Sequence, residues 1–316
     1  MIDDEVSRIL ELLNESFPPV HTMSAADARA AIAARRTPVT NLGDVRSADD
    51  VRIDTGTVVI GARVYQPHGE SGGSRPLVVF LHGGGFVFCD LETHDGFCRA
   101  LARNVDAVVV SVDYRLAPEH RAPTAAEDAY AVLCWAVERH GDLGIDPARV
   151  LVAGDSAGGN LAAVTCLIAR ERRGPAIAGQ ALLYPVLDPG CDTDSYRTHG
   201  IGFFNTSVAM EWYWAQYLGP EGLPEPAQLA APGRAASLSG LPPAVVAVAG
   251  ADPLRCEVQE YAAALAAAGV PVVQRTYPGL FHGFLTILTL AAGESARQLL
   301  WSDLRALLTR TTEAAA

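Results

Sequence analysis

Lysine is absent from this 316-residue chain, whose 24 basic residues are all arginine and are outnumbered by 36 acidic residues. The formal net charge at pH 7 is −12. Because nucleic acids and anionic membrane surfaces attract basic patches, this balance argues against either of them as a partner. The lack of lysine by itself indicates no function.

Long apolar runs and paired cysteines are missing as well. No stretch of about 18 uncharged apolar residues occurs, so we expect no stable insertion into a membrane. The acidic start of the chain is unlike an export signal, which predicts a cytoplasmic location. The six cysteines include no C-x-x-C pair, which argues against zinc or thioredoxin-like chemistry and predicts reduced thiols.

The usual phosphate-binding signatures are also absent. There is no G-x-x-x-x-G-K-[ST] motif, and no G-x-G-x-x-G stands directly before a predicted helix. What the chain does contain is apolar material, with 49% hydrophobic and 19% charged residues. This composition is typical of a globular protein with a sizeable core.

Residues 154–158, Gly-Asp-Ser-Ala-Gly, are the most informative segment. The apolar run 150–153 predicts a strand before them, and the pattern at 160–164 predicts a helix after them. In such a sharp turn, glycines stand where a Cβ would clash, and the apical serine hydroxyl is lifted clear of the sheet. Ser156 is therefore the candidate nucleophile.

A glycine-rich loop follows a second predicted strand, at residues 76–81. The loop reads His-Gly-Gly-Gly-Phe and leaves several backbone N–H groups free to converge on one point. Such donors stabilise the negative oxygen of a tetrahedral intermediate. The candidates are Gly84 and Gly85, with Gly83 as a further one, together with Ala157 after the serine. The alternative is a loop that only turns the chain.

A base and an acid follow two more predicted strands. Asp252 comes after the apolar run 244–249, and His282 comes after a strand predicted at 271–276. A serine needs a base to take its proton, and the base needs a carboxylate to fix its tautomer. The order Ser156, Asp252, His282 is that of one class of hydrolases. The alternatives are a helix N-cap for Asp252 and a structural role for His282.

With these motifs the chain resembles the bacterial hormone-sensitive-lipase-like carboxylesterases, the family IV esterases. The matching segments also include Asp-Tyr-Arg-Leu-Ala-Pro-Glu-His at 113–120 and His-Gly-Phe at 282–284. The resemblance covers nearly the whole chain. The chain departs from the family pattern at Cys256, where an acidic residue is common, and at Arg121 and Thr124, none of them a triad position.

The resemblance implies a catalytic triad and an oxyanion hole. The triad is Ser156, Asp252 and His282, and the oxyanion donors are the N–H groups of Gly84, Gly85 and Ala157. It also implies an α/β-hydrolase fold with a helical cap, and a homodimer formed through an edge strand and the last helix, to which residues 285–290 are suited.

The order of predicted elements agrees with this fold class. Eight strands are predicted, and from residue 77 onward strands and helices alternate, which favours a mostly parallel sheet flanked by helices. About sixty residues separate two of the strands, a length typical of a functional insertion. The predicted division is 1–45 for the N-terminal part of the cap, 46–187 and 240–316 for the core, and 188–239 for the cap insertion and the return to the core.

These features predict a serine carboxylesterase that acts on small-molecule esters of short- to medium-chain acids, with no metal and no cofactor. The chain-length preference comes from the resemblance. Three aromatic residues of the insertion, Phe203, Phe204 and Trp212, are predicted to line the acyl pocket. The alternative is that they pack a helix onto the core.

Three other functions remain open at this point. The same triad could hydrolyse amides or lactones. The chain could be a ligand receptor on an inactive hydrolase scaffold, although such proteins usually lose the base. It could also be an interfacial lipase, although the predicted cap is mixed and charged rather than broadly apolar.

Overall fold

The computed structural model describes residues 2–69 and 73–313. Its centre is one eight-stranded sheet. The strands are β1 Val45–Asp54, β2 Val59–Pro67, β3 Arg75–Leu81, β4 Val108–Asp113, β5 Ile145–Asp155, β6 Gly179–Leu183, β7 Ala244–Ala251 and β8 Val272–Phe281.

The strand order is β1-β2-β4-β3-β5-β6-β7-β8. β1 and β2 pair antiparallel, as do β2 and β4, and every other pair is parallel. The predicted α/β architecture, with a mostly parallel sheet of eight strands, is confirmed.

Helices cover both faces of this sheet. They are α1 Asp4–Ser16, α2 Ala25–Ala33, α3 Leu91–Val105, α4 Thr124–Glu138, α5 His140–Leu143, α6 Ala157–Arg172, α7 Asp194–His199, α8 Ser207–Leu218, α9 Arg255–Ala267 and α10 Glu294–Glu313. Short 3₁₀ helices lie at Val20–Thr22, Leu42–Asp44, Gly219–Glu221, Ala227–Leu229, Pro232–Arg234 and Ala291–Gly293. The sequence predicts two helices within residues 1–37 and further helices at 94–104, 124–140, 157–170, 207–218, 257–268 and 294–309. The short helices α5 and α7 are additions to this prediction.

The central strands are buried on both faces, and β3 illustrates why they read as continuous apolar runs. Val78 and Phe80 pack in a cluster with α1, α3 and α10, whereas Val79 and Leu81 pack in a second cluster with α4, α6 and α9. Since successive side chains of a strand point to opposite faces, a strand covered on both sides has no polar alternation.

The sequence predicts a strand at residues 51–54, and strand β1 is longer than this, because it begins at Val45. The added part, Val45–Asp50, is rich in charged residues and lies at the sheet edge, where it pairs only with β2. Edge strands commonly carry charge, which discourages pairing with other molecules. An apolar pattern therefore does not reveal this segment.

Side-chain bonds join the N-terminal helices to the rest of the molecule. The Arg29 guanidinium on α2 donates to the carbonyl oxygens of Val87 and Ala117 and pairs with Glu119. The Asn14 side chain on α1 donates to the Gly202 carbonyl and accepts from the Phe204 N–H. The two predicted cap segments thus contact one another, while the proposed domain boundaries stay a prediction.

Two features bear on the expected partners. Leu285 and Leu290 are fully buried within the chain, so they cannot form the dimer surface that the resemblance suggested, and the homodimer stays a prediction. Within residues 2–69 and 73–313, no helix has the length and apolar character needed to cross a membrane.

Candidate active site

Ser156, Asp252 and His282 follow the carboxyl ends of β5, β7 and β8. Parallel strands present these ends at the same edge of a sheet, so side chains far apart in sequence meet there. The His282 Nε2 atom lies 2.8 Å from Ser156 Oγ, and His282 Nδ1 lies 2.7 Å from Asp252 Oδ2. The three predicted side chains therefore form one hydrogen-bonded chain.

The bonding of Asp252 sets the tautomer of the imidazole. An ionised carboxylate only accepts hydrogen bonds, so His282 Nδ1 must carry the proton and Nε2 is free to accept one from the serine. The second oxygen, Oδ1, accepts the Leu254 N–H at 3.0 Å. Helix α9 begins at Arg255 with Leu254 as its N-cap residue, so Asp252 does not cap it.

Ser156 has a backbone conformation that serine rarely adopts, with φ 56° and ψ −119°. Neighbouring bonds hold it there: its N–H donates to the Leu183 carbonyl at 2.9 Å, and its own carbonyl accepts from Val186 at 3.1 Å. Strain of this kind persists only where surrounding contacts enforce it, which is common at active sites.

Gly158 lies against the end of β3, and this contact leads to a prediction. A Cβ at this position would stand 1.9 Å from the Leu81 carbonyl oxygen, a distance at which backbone must move. We expect Gly158→Ala to lower the free energy of unfolding by about 3 kcal/mol and turnover by about a hundredfold, because the serine is displaced. Urea unfolding and steady-state kinetics measure both effects.

Gly141→Ala is the matched control, since no atom lies within 4 Å of a Cβ built there. It should retain wild-type stability and turnover. If Gly158→Ala behaved like Gly141→Ala, the close contact would have no importance for the serine turn.

The glycine-rich loop presents free N–H groups beside the serine. Gly84 and Gly85 have φ values of 112° and 59°, which disfavour a side chain. Among the described residues, their N–H groups and that of Ala157 have no hydrogen-bond partner. Ala157 is the first residue of α6, where the helix dipole adds partial positive charge.

Gly83 is a correction to the predicted donor set. Its N–H donates to Asp155 Oδ1 at 2.9 Å, so it is not available to an oxyanion. The sequence could not reveal this, because the bond joins two residues 72 positions apart.

Asp155 belongs to a buried polar cluster beneath the loop. Burial raises the pKa of its carboxyl, but His94, with Nε2 at 3.2 Å, together with His82 and His282 outweighs this effect and leaves the pKa below its usual value. Burial also lowers the pKa of His82 to about 3, so that imidazole stays neutral. The ring of Tyr114 stacks on His82, and its hydroxyl donates to the His82 carbonyl at 2.8 Å. This cluster fixes the base of the loop.

The loop after Asp252 carries the departure at Cys256. Its N–H donates to the Ser195 hydroxyl oxygen at 3.0 Å, and that hydroxyl donates to the Pro253 carbonyl. The next residue, Glu257, is buried and accepts the Leu187 N–H at 2.8 Å. Burial, reinforced by the nearby Asp252, raises the pKa of Glu257 well above its usual value.

A cavity of about 370 Å³ opens over the serine. Its base is formed by Ser156, His282 and the glycine loop. Its walls come from residues 13–21 at the N-terminus and from residues 204–213 of the long insertion. Both predicted cap segments therefore contribute to the site.

Only one of the three predicted pocket aromatics lines this cavity. Phe204 does so, but Phe203 packs against His199, and Trp212 packs beside Tyr213. Successive helical residues are about 100° apart, so the α8 face that turns Tyr213 toward the cavity turns Trp212 away from it. The predictions for Phe203 and Trp212 are thus wrong.

Several lining residues were missed by the sequence reasoning. Tyr213 and Ala209 share one face of α8 at a spacing of four, and Phe17 and Phe88 complete the aromatic wall. The helical spacing of 209 and 213 is a signal that a reading of the insertion could have used. No comparable signal marks Phe17, which reaches the site through the fold.

A metal centre has no basis in the described part of the chain. No group of three or more His, Cys, Asp or Glu side chains there is arranged to hold an ion.

The comparisons with known proteins agree with this geometry. Residues 78–286 match the model of a family described by its alpha/beta hydrolase fold. The carboxylic ester hydrolase LipN of Mycobacterium tuberculosis is 49% identical over 257 residues, which cover 79% of this chain and 68% of LipN. The carboxylesterase NlhH of the same organism is 37% identical over 312 residues, which cover 96% of this chain and 97% of NlhH.

Solved structures give the same result. A thermostable esterase from Pseudomonas putida superposes with a TM-score of 0.90 at 35% identity, covering 97% of this chain and 98% of that one. A hyperthermophilic esterase from Pyrobaculum calidifontis superposes with a TM-score of 0.89 at 37% identity and the same coverage. The chain belongs to the hormone-sensitive-lipase-like family of the alpha/beta-hydrolase fold.

Proposed function

We propose that this protein is a serine carboxylesterase that hydrolyses short- to medium-chain acyl esters through an acyl-enzyme on Ser156. The observation that carries the proposal is the Ser156–His282–Asp252 hydrogen-bond chain at the base of an open cavity. Relatives named as carboxylic ester hydrolases and esterases support the reaction class.

In the first half-reaction, His282 Nε2 takes the proton of Ser156 as Oγ attacks the ester carbonyl carbon. The carbonyl oxygen becomes negative and accepts hydrogen bonds from the N–H groups of Gly84, Gly85 and Ala157. Asp252 stabilises the imidazolium. The intermediate then expels the alcohol, which leaves with the proton from His282.

In the second half-reaction, water takes the place of the alcohol. His282 removes a proton from the water as it attacks the acyl-enzyme, and the same N–H groups stabilise the second oxyanion. Collapse of this intermediate returns the proton to Ser156 and releases the carboxylic acid. Apart from the ester and water, the cycle uses groups of the chain alone.

The size of the cavity supports a limit on acyl length. A volume of about 370 Å³ is near the lower end of the range of ligand-site volumes. Ring contacts hold the aromatic walls in place, such as that of Phe17 with Phe204, whose ring centroids are 4.9 Å apart. We expect kcat/KM for p-nitrophenyl esters to peak between acetate and octanoate and to be at least about a hundredfold lower for hexadecanoate.

Initial rates across the series of p-nitrophenyl esters measure this preference, with the Ser156→Ala protein as the blank for background hydrolysis. A rate that rose with chain length, and rose further above the solubility limit of the ester, would instead indicate an interfacial lipase.

We also propose a cytoplasmic location. All six cysteines are free thiols. Free thiols are usual in the reducing cytoplasm, whereas oxidising compartments favour disulfides.

A further inference from the structure

The wall of the active-site cavity is mostly apolar, but residues 204–213 add two buried polar side chains to it. Asn205 and Tyr213 both line the cavity and are only 7% and 8% exposed. In ligand sites of this kind, a few placed polar groups orient the ligand and determine specificity.

Tyr213 is held firmly beside the glycine loop. A Cβ on Gly85 would lie 2.4 Å from the Tyr213 ring, so the ring packs directly on the backbone of that residue. The ring also makes an edge contact with Phe88, with centroids 5.6 Å apart. The ring is thereby fixed beside the loop that carries the Gly85 N–H.

The Tyr213 hydroxyl has no hydrogen-bond partner among the described residues. It is also not among the fully enclosed polar atoms, and the Tyr213 side chain belongs to the lining of the cavity. Burial raises the pKa of Tyr213, which keeps the phenol protonated and able to donate.

Asn205 is in a similar state. Its side-chain nitrogen donates to the sulfur of Met210 at 3.3 Å, and sulfur is a weak acceptor. Its side-chain oxygen has no protein partner in the described structure and is likewise not fully enclosed. Asn205 therefore presents a free acceptor at the cavity wall.

Polar groups that face a cavity without protein partners favour a ligand that satisfies them. Water bonds to them in the free enzyme, and a plain alkyl ester must displace that water without replacing its hydrogen bonds. Sites built to bond a substrate hydroxyl discriminate strongly against analogues that lack it.

We infer that Tyr213 and Asn205 bind an oxygen substituent of the substrate, so that the preferred substrates are hydroxy- or oxo-substituted esters rather than plain alkyl esters. The substituent lies a few bonds from the scissile carbonyl, because Tyr213 contacts Gly85. This inference rests on the proposed esterase function.

Matched ester pairs test the inference on each arm of the substrate. The acyl arm compares p-nitrophenyl 3-hydroxybutanoate with p-nitrophenyl butanoate, and the alcohol arm compares 2-hydroxyethyl butanoate with ethyl butanoate. We expect the wild-type kcat/KM to favour the hydroxylated member about tenfold on at least one arm, the value of one hydrogen bond. Tyr213→Phe and Asn205→Leu should each reduce that ratio toward one.

Tyr217→Phe is the matched control. Tyr217 lies one turn further along α8, its ring stacks on Phe86, and its unpartnered hydroxyl is fully enclosed away from the cavity. Removal of this hydroxyl should leave the preference for hydroxylated esters at its wild-type value.

The inference is overturned if the wild type shows no preference on either arm, or if the preference survives in both Tyr213→Phe and Asn205→Leu. If the wild type hydrolysed both esters of each pair equally and Ser156→Ala hydrolysed neither, this inference would be rejected and the esterase proposal would stand. If no ester were hydrolysed at all, the esterase proposal itself would fail.

Discussion

Ser156→Ala is expected to lower kcat for p-nitrophenyl butanoate about a million-fold, the loss typical of a triad nucleophile. The substitution removes Ser156 Oγ, the atom that lies 2.8 Å from His282 Nε2, and leaves the backbone turn unchanged. Residual hydrolysis would come from water that attacks the bound ester directly, while the oxyanion donors stabilise the negative carbonyl oxygen. Stopped assays at high enzyme concentration give the residual rate.

The control for this substitution is Ser302→Ala, on the exposed side of α10. It should keep the full wild-type rate, and both variants should unfold at the wild-type temperature. A Ser156→Ala protein that kept more than about 1% of the wild-type rate would show that another residue is the nucleophile.

Asp252→Asn is expected to lower kcat about ten-thousandfold with little change in structure. The amide oxygen can still accept the Leu254 N–H, but the NH₂ group then faces His282 Nδ1. Since the amide donates where the carboxylate accepted, it favours the tautomer with the proton on Nε2. That tautomer cannot take the proton of Ser156.

Asp142→Asn provides the comparison, because within residues 2–69 and 73–313 this exposed carboxylate pairs with Arg139 alone. Surface pairs of this kind contribute little, so its kcat should equal that of the wild type. If Asp252→Asn lowered kcat by less than about tenfold, the carboxylate would not determine the tautomer of His282.

The serine turn could be predicted from sequence because its requirements are local. A strand, a sharp turn and a helix occupy consecutive residues, and the glycine at 158 is needed where a side chain would meet Leu81. Asp252 and His282 could also be predicted from sequence, since each follows a predicted strand and parallel strands end at one edge of the sheet.

The cavity wall could not be predicted in the same way. Helix α8 is apolar on most of its surface. Its buried residues include Met210, Tyr213 and Trp214, which point in different directions around the helix axis. No polar stripe marks which face meets the cavity, so the sequence does not show that Tyr213 rather than Trp212 lines it. The rotation of α8 is set by packing against distant segments such as the Gly85 loop.

The role of Gly83 depended on long-range contacts too. Three consecutive glycines look equivalent in sequence, yet only the first meets the carboxylate of Asp155. That carboxylate also contacts His94, which comes from the start of α3. Sequence patterns specify which loops can supply N–H donors, and tertiary packing selects among them.

Covalent labelling with a p-nitrophenyl alkylphosphonate, followed by mass spectrometry of the intact protein and of its peptides, is the most direct test. A phosphonate mimics the tetrahedral intermediate and bonds to a serine only where a base and oxyanion donors activate it. We expect one phosphonyl group per chain, on the peptide that contains Ser156, together with complete loss of hydrolysis. An adduct on any other residue, or full hydrolysis in a fully labelled protein, would contradict this expectation.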